Sequence, residues 1–460
     1  MASSLHHQPI PSRHVVAVPY PGRGHINPML SLCTALAERS SDMLITVVLT
    51  EEWLGLLAAL KKPPNMSFAA IPNVVPSEKV RGDDPMAFFT AVLTKMEAPF
   101  ERLLDGGELP PSDFIIGDAL MSWVYAVAGR RNIPSAHLWT MSASVYTVFY
   151  HFDLLVQNGH YPVDLSVNGE AIVDYIPGLS HSRLADLPLI VKDQESFEKS
   201  IKTLPNDSNA KHLIFNSFYE LESQVFDALK HKSSMSIYNI GPTTTYFKLK
   251  AMKTNPITTT TDYYLRWLEL QPPSSVLYVS LGSFLHISTA QMDEIAAGLH
   301  GSGVRFLWVA KRGMSGLQQM AGDKGLVVEW CDQMMVLAHS SVGGFLSHCG
   351  WNSTKEAVLA GVPMLAFPII VDQLPNTKVI VDDWRVGWRM LEREFNEEDL
   401  IKSDRICEIV KRFMDLGSVE RKVISRNARE IMKICEREFG DGGSFDANLD
   451  AFVKSIMQLN

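Results

Sequence analysis

The sequence predicts an α/β protein made of two facing Rossmann-like domains. Three observations carry that class. Apolar, β-branched runs of strand length recur in both halves and alternate with helical stretches. The first run ends in a glycine turn that opens into a helix and then a second strand, the opening of a doubly wound sheet. At 460 residues the chain is too long for one hydrophobic core, and a polar, Thr-rich break divides it near the middle.

In chain order, HVVAVPYP (14–21) reads as a buried first strand, followed by a turn and an amphipathic helix in GRGHINPMLSLCTALAER. LITVVLT (44–50) is the second strand. Further strands are expected at 66–71, 113–118, 134–139 and 212–216, with helices near 85–104, 122–130 and 220–229 between them. Gly22-Arg23-Gly24 begins like a dinucleotide fingerprint, but the third glycine position is Asn27, so the fingerprint is broken. The turn instead offers His25, just past the end of strand one. Asp118 stands at the matching end of a later strand. Open α/β sheets place ligands at that edge, and there an Asp accepting from one His nitrogen would free the other to take a proton. The plain alternatives are a surface histidine and a helix N-cap. The stretch 153–206 is irregular and suits ligand-facing loops.

The Thr-rich segment 243–261 reads as an exposed interdomain linker. It separates an N-terminal α/β domain (1–242) from a C-terminal one (262–438), which a last helix (439–460) follows. Strands are expected at 274–284, 305–310 and 325–330, and a helix in TAQMDEIAAGLHGSG. The densest polar segment is WCDQMMVLAHSSVGGFLSHCGWNSTKEAVLAGVPMLAFPIIVDQ, 330–373. In it VGGFL and PMLAF read as buried parallel strands. HCGWNSTKEAVLAG reads as a turn at Gly350 and a short helix capped by Asn352 or Ser353 and stopped by Gly361 and Pro363. Backbone N–H groups and a helix dipole then point at one spot, which suits a phosphate.

Composition excludes several classes. The net charge of −9 argues against nucleic acid or an anionic membrane as the main partner. Five scattered cysteines form neither a disulfide framework nor a zinc pattern, which suits a reducing compartment. No apolar signal region and no run of eighteen or more apolar residues occurs. A cytoplasmic monomer without a membrane anchor is therefore expected.

The pattern W-x-x-Q…VL-x-H…G-x-F-x-x-HCGWNS-x-x-E…GVPM…P…DQ resembles the plant secondary product glycosyltransferase box, the donor-binding signature of family 1 sugar-nucleotide-dependent glycosyltransferases. Weaker similarity runs through P-G-x-GH-x-x-PM near the start, IP-x-x-x-LWT around Thr140, NSFYELE, IGP and VSLGS. The resemblance implies the GT-B arrangement of two facing α/β domains, with the last helix (439–460) crossing back onto the first, and transfer of glucose from UDP-glucose, with inversion, to a small-molecule acceptor. Trp330 would stack on uracil, and the backbone at Cys331 and Gln333 would pair with the base edge. Glu356 would accept both ribose hydroxyls. His348, Asn352, Ser353 and Ser283 would hold the diphosphate, while Trp351, Asp372, Gln373 and Thr140 would face the hexose. Gln373 motivates glucose. His25 matches the general base and Asp118 its partner.

The chain contains no Asp-x-Asp tripeptide, so neither a metal nor any other cofactor is expected. Two residues depart from the usual box. Asp332 replaces Pro, and both suit a helix start. Lys355 replaces an apolar residue and reads as reaching for solvent, which puts the local packing in question. The acceptor pocket is expected from Phe88, Phe89, Met121, Phe149 and Phe152, with 188–191 at its edge, and suits a small, partly hydrophobic aglycone. Its identity stays open, as does attack by a hydroxyl or a carboxyl oxygen. A Rossmann oxidoreductase and a non-catalytic sugar-nucleotide binder are the competing classes.

Overall fold

The computed structural model describes residues 13–162, 164–188, 194–207, 210–254, 262–282, 287–310, 314–391, 400–440 and 442–459. Its strands are β1 (Arg13–Val18), β2 (Met43–Thr50), β3 (Met66–Ile71), β4 (Phe114–Asp118), β5 (Ser135–Trp139), β6 (Ile172–Val173), β7 (Ser182–Arg183), β8 (His212–Phe215) and β9 (Ser236–Asn239) in the N-terminal half. The C-terminal half contributes β10 (Val276–Ser280), β11 (Arg305–Val309), β12 (Gly325–Val328), β13 (Val342–Ser347), β14 (Met364–Ala366) and β15 (Gly387–Arg389). A seven-stranded sheet runs β3-β2-β1-β4-β5-β8-β9 and a six-stranded sheet runs β12-β11-β10-β13-β14-β15. Every pairing within these two sheets is parallel. Parallel strands need crossovers, and the helices that supply them cover both faces, which is why the strands read as unbroken apolar runs.

The strand order reverses at β1/β4 in the first sheet and at β10/β13 in the second. Beyond the carboxyl ends of such a pair the crossovers diverge and leave a crevice. The register aligns Val18 with Gly117 and Ser280 with Ser347, so both crevices open directly onto the candidate residues.

The joints between halves rest on the chain's end. Helix Val419–Glu438 packs on helix Trp351–Ala360 and on helix Tyr219–Lys232. Helix Ser444–Met457 lies against β9 and helix Arg23–Arg39. It inserts Phe445, Leu449, Phe452 and Ile456 into the first core, and Asn448 accepts the Asn239 N–H at 3.0 Å. An ion pair between Arg389 and Asp186 (3.1 Å), with both side chains more than nine-tenths buried, ties the two halves at another point.

Several expectations are corrected. The single helix expected over 85–104 is two, Pro85–Lys95 and Glu97–Asp105, because Pro99 has no N–H to carry the ladder back to Lys95. The segment taken as an exposed linker forms a helix over Thr243–Thr254 that packs on helix Arg23–Arg39, with Thr243 and Leu249 buried. The rest of that segment, 255–261, lies outside the described residues. Strands β9 and β15, of four and three residues, are additions to the expected set.

Phe452 is fully buried, with its ring 5.0 Å from Tyr238 and 6.0 Å from Phe114. Phe452→Ala should cost about 3–5 kcal/mol, read as a lower denaturant midpoint for the N-terminal half. An unchanged midpoint would show that the last helix does not belong to that core.

Candidate active site

β1 ends at Val18, and the turn Pro19–Gly22 starts helix Arg23–Arg39 without a side-chain cap. His25 sits in that helix's first turn. Its Nδ1 lies 2.7 Å from Asp118 Oδ2, the last residue of β4. A carboxylate only accepts, so Nδ1 carries the proton and Nε2 is left as the basic nitrogen. Asp118 is 1% exposed, and its other oxygen accepts the Leu120 N–H at 3.0 Å. The Thr140 hydroxyl is 3.0 Å from His25 Nδ1, so this threonine contacts the histidine itself. Tyr20, which the sequence reading passed over, packs its ring 4.9 Å from the imidazole.

Across the cleft, the turn after β13 is built differently from expectation. The left-handed residue is Cys349 (φ 63°), while Gly350 has an ordinary extended backbone. Gly350 is glycine for space: a Cβ there would stand 2.5 Å from His348 Nε2, and one at Gly282 2.8 Å from the same atom. The imidazole is thus enclosed by two glycines. Burial pushes it down to about 4, so it is neutral at ordinary pH. The helix begins at Trp351 with Gly350 as N-cap. Asn352 and Ser353 therefore lie in its first turn and do not cap it, leaving their side chains for other partners. Asn352 Nδ2 donates to Gly24 O at 2.8 Å, one residue before His25. This bond brings the two crevices together.

The remaining box residues surround that helix start. Trp330 is 60% exposed, a large indole face left open to solvent. Cys331 is buried, with its Sγ 3.5 Å from Tyr278 Oη. Asp332 caps helix Gln333–Leu337 by accepting the Met335 N–H at 3.2 Å, and it pairs with Lys248. The Gln333 side chain is engaged throughout. It accepts from Tyr278 Oη (3.1 Å) and donates to Ser353 Oγ (3.0 Å) and Glu356 Oε2 (2.5 Å). The Glu356 carboxyl is raised above the usual carboxylate range by desolvation, with Gln333 opposing.

Trp351 is buried beside Trp384, at 6.1 Å. The Asp372 carboxyl is pushed up to about 6 by desolvation, opposed by hydrogen bonds from Asn376 and the Trp351 backbone. Gln373 Oε1 accepts the Ile369 and Ile370 N–H groups (2.8 and 3.2 Å), which assigns its NH₂ as the group left for a ligand. Ser283 lies outside the described residues.

Lys355 is the clearest correction. It does not reach solvent: it is 1% exposed, and its Nζ donates to Asn216 O at 2.6 Å. The five residues expected to form one acceptor wall do not do so. Phe88 and Met121 are core residues, with Phe89 packed on the same cluster. Phe149 belongs to a second cluster and Phe152 lies against a third. Of 188–191, only Pro188 is among the described residues. Sequence reading also missed Tyr278 and Asn376. Asn376 had a signal, since it lies one helical turn after Asp372 and donates to it at 3.0 Å.

Two facing α/β domains, each with its crevice on the other's side, define a protein of the GT-B class. The family model described as UDP-glucoronosyl and UDP-glucosyl transferase matches residues 250–407. UDP-glycosyltransferase 87A2 of Arabidopsis thaliana is 46% identical over 451 residues, covering 97% of this chain and 98% of its own. The crystal structure of Medicago truncatula UGT71G1 with UDP-glucose superposes with a TM-score of 0.79 at 25% identity, covering 97% and 98% of the two chains. Phytolacca americana UGT2 with UDP-2fluoro-glucose and pterostilbene gives 0.76 at 25% identity, covering 97% and 100%. The chain belongs to the plant family 1 UDP-glycosyltransferases and is an enzyme that transfers sugar from a UDP-sugar.

An acid whose folded value lies above its unfolded one costs stability above both values, and the cost vanishes as pH falls below the unfolded one. For Asp372 that window runs from its ordinary value of 3.8 up to about 6. Asp372→Asn should therefore unfold at a higher temperature than the parent at about pH 7.5 and lose that advantage by about pH 4. Melting curves at the two pH values decide it, and an equal shift at both would remove the ionisation as the cause.

Proposed function

We propose that this enzyme moves glucose from UDP-glucose to a hydroxyl or carboxyl oxygen of a small, partly hydrophobic acceptor, with inversion and without a metal. The observation that carries the reading is the Asn352–Gly24 hydrogen bond, which sets the helix start of the box beside the His25–Asp118 pair. A diphosphate placed at that helix N-terminus would meet first-turn N–H groups and the positive end of the dipole. Trp330 offers a stacking face for a base, Glu356 an acceptor for ribose hydroxyls, and Asp372 with the Gln373 NH₂ a set of partners for a hexose.

In this reading His25 Nε2 takes the acceptor proton as the acceptor oxygen bonds to the anomeric carbon. The bond from that carbon to the phosphate oxygen breaks, and UDP leaves with the electron pair on the opposite face, so the configuration inverts. Asp118 holds the tautomer and stabilises the imidazolium. Thr140, in contact with His25 Nδ1, steadies the same ring. The binding of pterostilbene by the Phytolacca relative supports a small aromatic acceptor here. The helix start takes the charge of the leaving diphosphate in place of a metal.

His25→Ala should lower transfer to an unactivated alcohol by about 10²–10⁴-fold and leave UDP affinity unchanged, measured by product chromatography and calorimetry. Full turnover in the variant would take His25 out of the mechanism. A donor panel, run with and without a chelator, should give faster turnover with UDP-glucose than with UDP-galactose and no chelator effect. Preference for galactose would overturn the donor assignment, and loss of turnover in chelator the metal-free one.

A further inference from the structure

Two sequence features are left unused by the transfer chemistry: the segment NSFYELE and the lysine inside the box. The fold brings them together. Lys355 lies one helical turn after Asn352, on the same face of helix Trp351–Ala360. Asn352 donates to Gly24 O and Lys355 to Asn216 O, so this helix of the C-terminal domain is bonded to the N-terminal domain at two successive turns.

The second anchor is set in a stiff frame. The Asn216 N–H donates to Trp139 O at 3.0 Å, and the residue after Trp139 is Thr140, whose hydroxyl touches His25. Ser217 Oγ donates to the buried Glu222 carboxylate, which also accepts the Ala143 and Ser144 N–H groups (3.1 and 2.9 Å). Glu438, at the end of helix Val419–Glu438, accepts the Tyr219 N–H (3.1 Å) and the Asn239 amide (3.3 Å). Three carboxyl groups thus face the lysine: Glu356 from its own helix, Glu222 and Glu438. An uninterrupted path of bonded residues leads from Lys355 through Asn216, Trp139 and Thr140 to His25. An apolar side chain at 355 could pack there but could not make this bond.

We propose that Lys355 is a positioning residue: its bond to Asn216 holds the donor helix against the acceptor-side sheet and so fixes how far His25 stands from a sugar bound at that helix. The proposal rests on the transferase reading above, because that distance matters only if His25 acts at the sugar. UDP contacts one side of the cleft and the reaction needs both, so the two readouts separate.

Lys355→Met keeps the aliphatic stem and removes the donor. It should bind UDP within about twofold of the parent, leave KM for the donor little changed, and lower kcat for an alcohol acceptor by about tenfold to a hundredfold. Small-angle scattering of the ligand-free variant should show a larger radius of gyration than the parent. Unchanged kcat, or equal losses in UDP affinity and kcat, would overturn the proposal, as would a parent-like radius. If Lys355→Met does not fold, the same measurements on Lys355→Gln decide between these outcomes. A parent enzyme that transferred no sugar to any acceptor would sink the transferase reading alone, and the scattering comparison would still test the anchor.

Discussion

The site depends on one constraint: two parallel sheets present their carboxyl edges to each other. A parallel sheet has every strand end on one side, and its order must reverse somewhere, which opens a crevice. Here each sheet reverses between the two strands that carry the candidate residues, β1/β4 and β10/β13. Neither crevice is a complete site. The first holds a histidine with an oriented proton. The second holds the helix start of the box and, in the proposed mechanism, no base. In the proposed mechanism, contact between the two edges makes one catalytic unit of them. That contact is polar at the cleft, through Asn352, Lys355 and Arg389, and apolar behind it, where Phe218 and Leu249 join the core of the second half. Polar bonds fix direction as well as distance, which suits a reaction along a line.

The histidine shows how local geometry assigns a tautomer. Its Nδ1 faces both Asp118 and Thr140, so two partners from two neighbouring strands hold one edge of the ring. Tyr20 packs on the ring as well. A ring held in this way can present only Nε2 to the cleft. The preorganisation comes from β1, β4 and β5 being adjacent in the sheet. It needs no loop closure to form.

Much of this was legible in the sequence, and the limits have physical causes. Long apolar strands announced themselves, since both faces are covered. MSFAAI was placed to the residue, and His25 and Asp118 were set together from their strand ends, with the family resemblance deciding against a surface histidine and an N-cap. The short strands β9 and β15 were not found, whereas β8, β12 and β14, equally short, lie in longer apolar runs that marked them. The 243–254 helix was missed because threonine-rich composition suggested a linker, while tertiary packing on helix Arg23–Arg39 outweighed that weak propensity. Gly350 was correctly marked as special for the wrong reason: a crowded imidazole demands its missing Cβ, and the left-handed turn falls on Cys349. Lys355 was misread because lysine usually reaches water. The carbonyl that receives it lies 139 residues away in sequence, beyond any local pattern. The residues offered for an acceptor wall divide among three clusters, because an aromatic side chain looks the same in sequence whether it lines a cavity or fills a core.

The cleft also concentrates ionisable groups displaced toward their neutral forms. Desolvation raises Asp372 and Glu356, and it lowers His348 and Lys355. At neutral pH the displacements of Asp372, Glu356 and Lys355 are costs the folded protein carries without ligand, while His348, neutral there whether folded or unfolded, carries almost none. In the proposed complex, sugar and ribose hydroxyls would donate to the two carboxylates and favour their charged forms. The diphosphate would favour positive charge at the helix start. Ligand binding would then return these groups toward their ordinary values and recover part of the cost as binding free energy. Linkage makes the two effects one. A site strained electrostatically when empty is relieved by the ligand that completes its hydrogen bonds. Lys355 stands apart from this recovery, because its partner is a backbone carbonyl already in place. Its cost is permanent, and the arrangement of the two domains is what that cost secures.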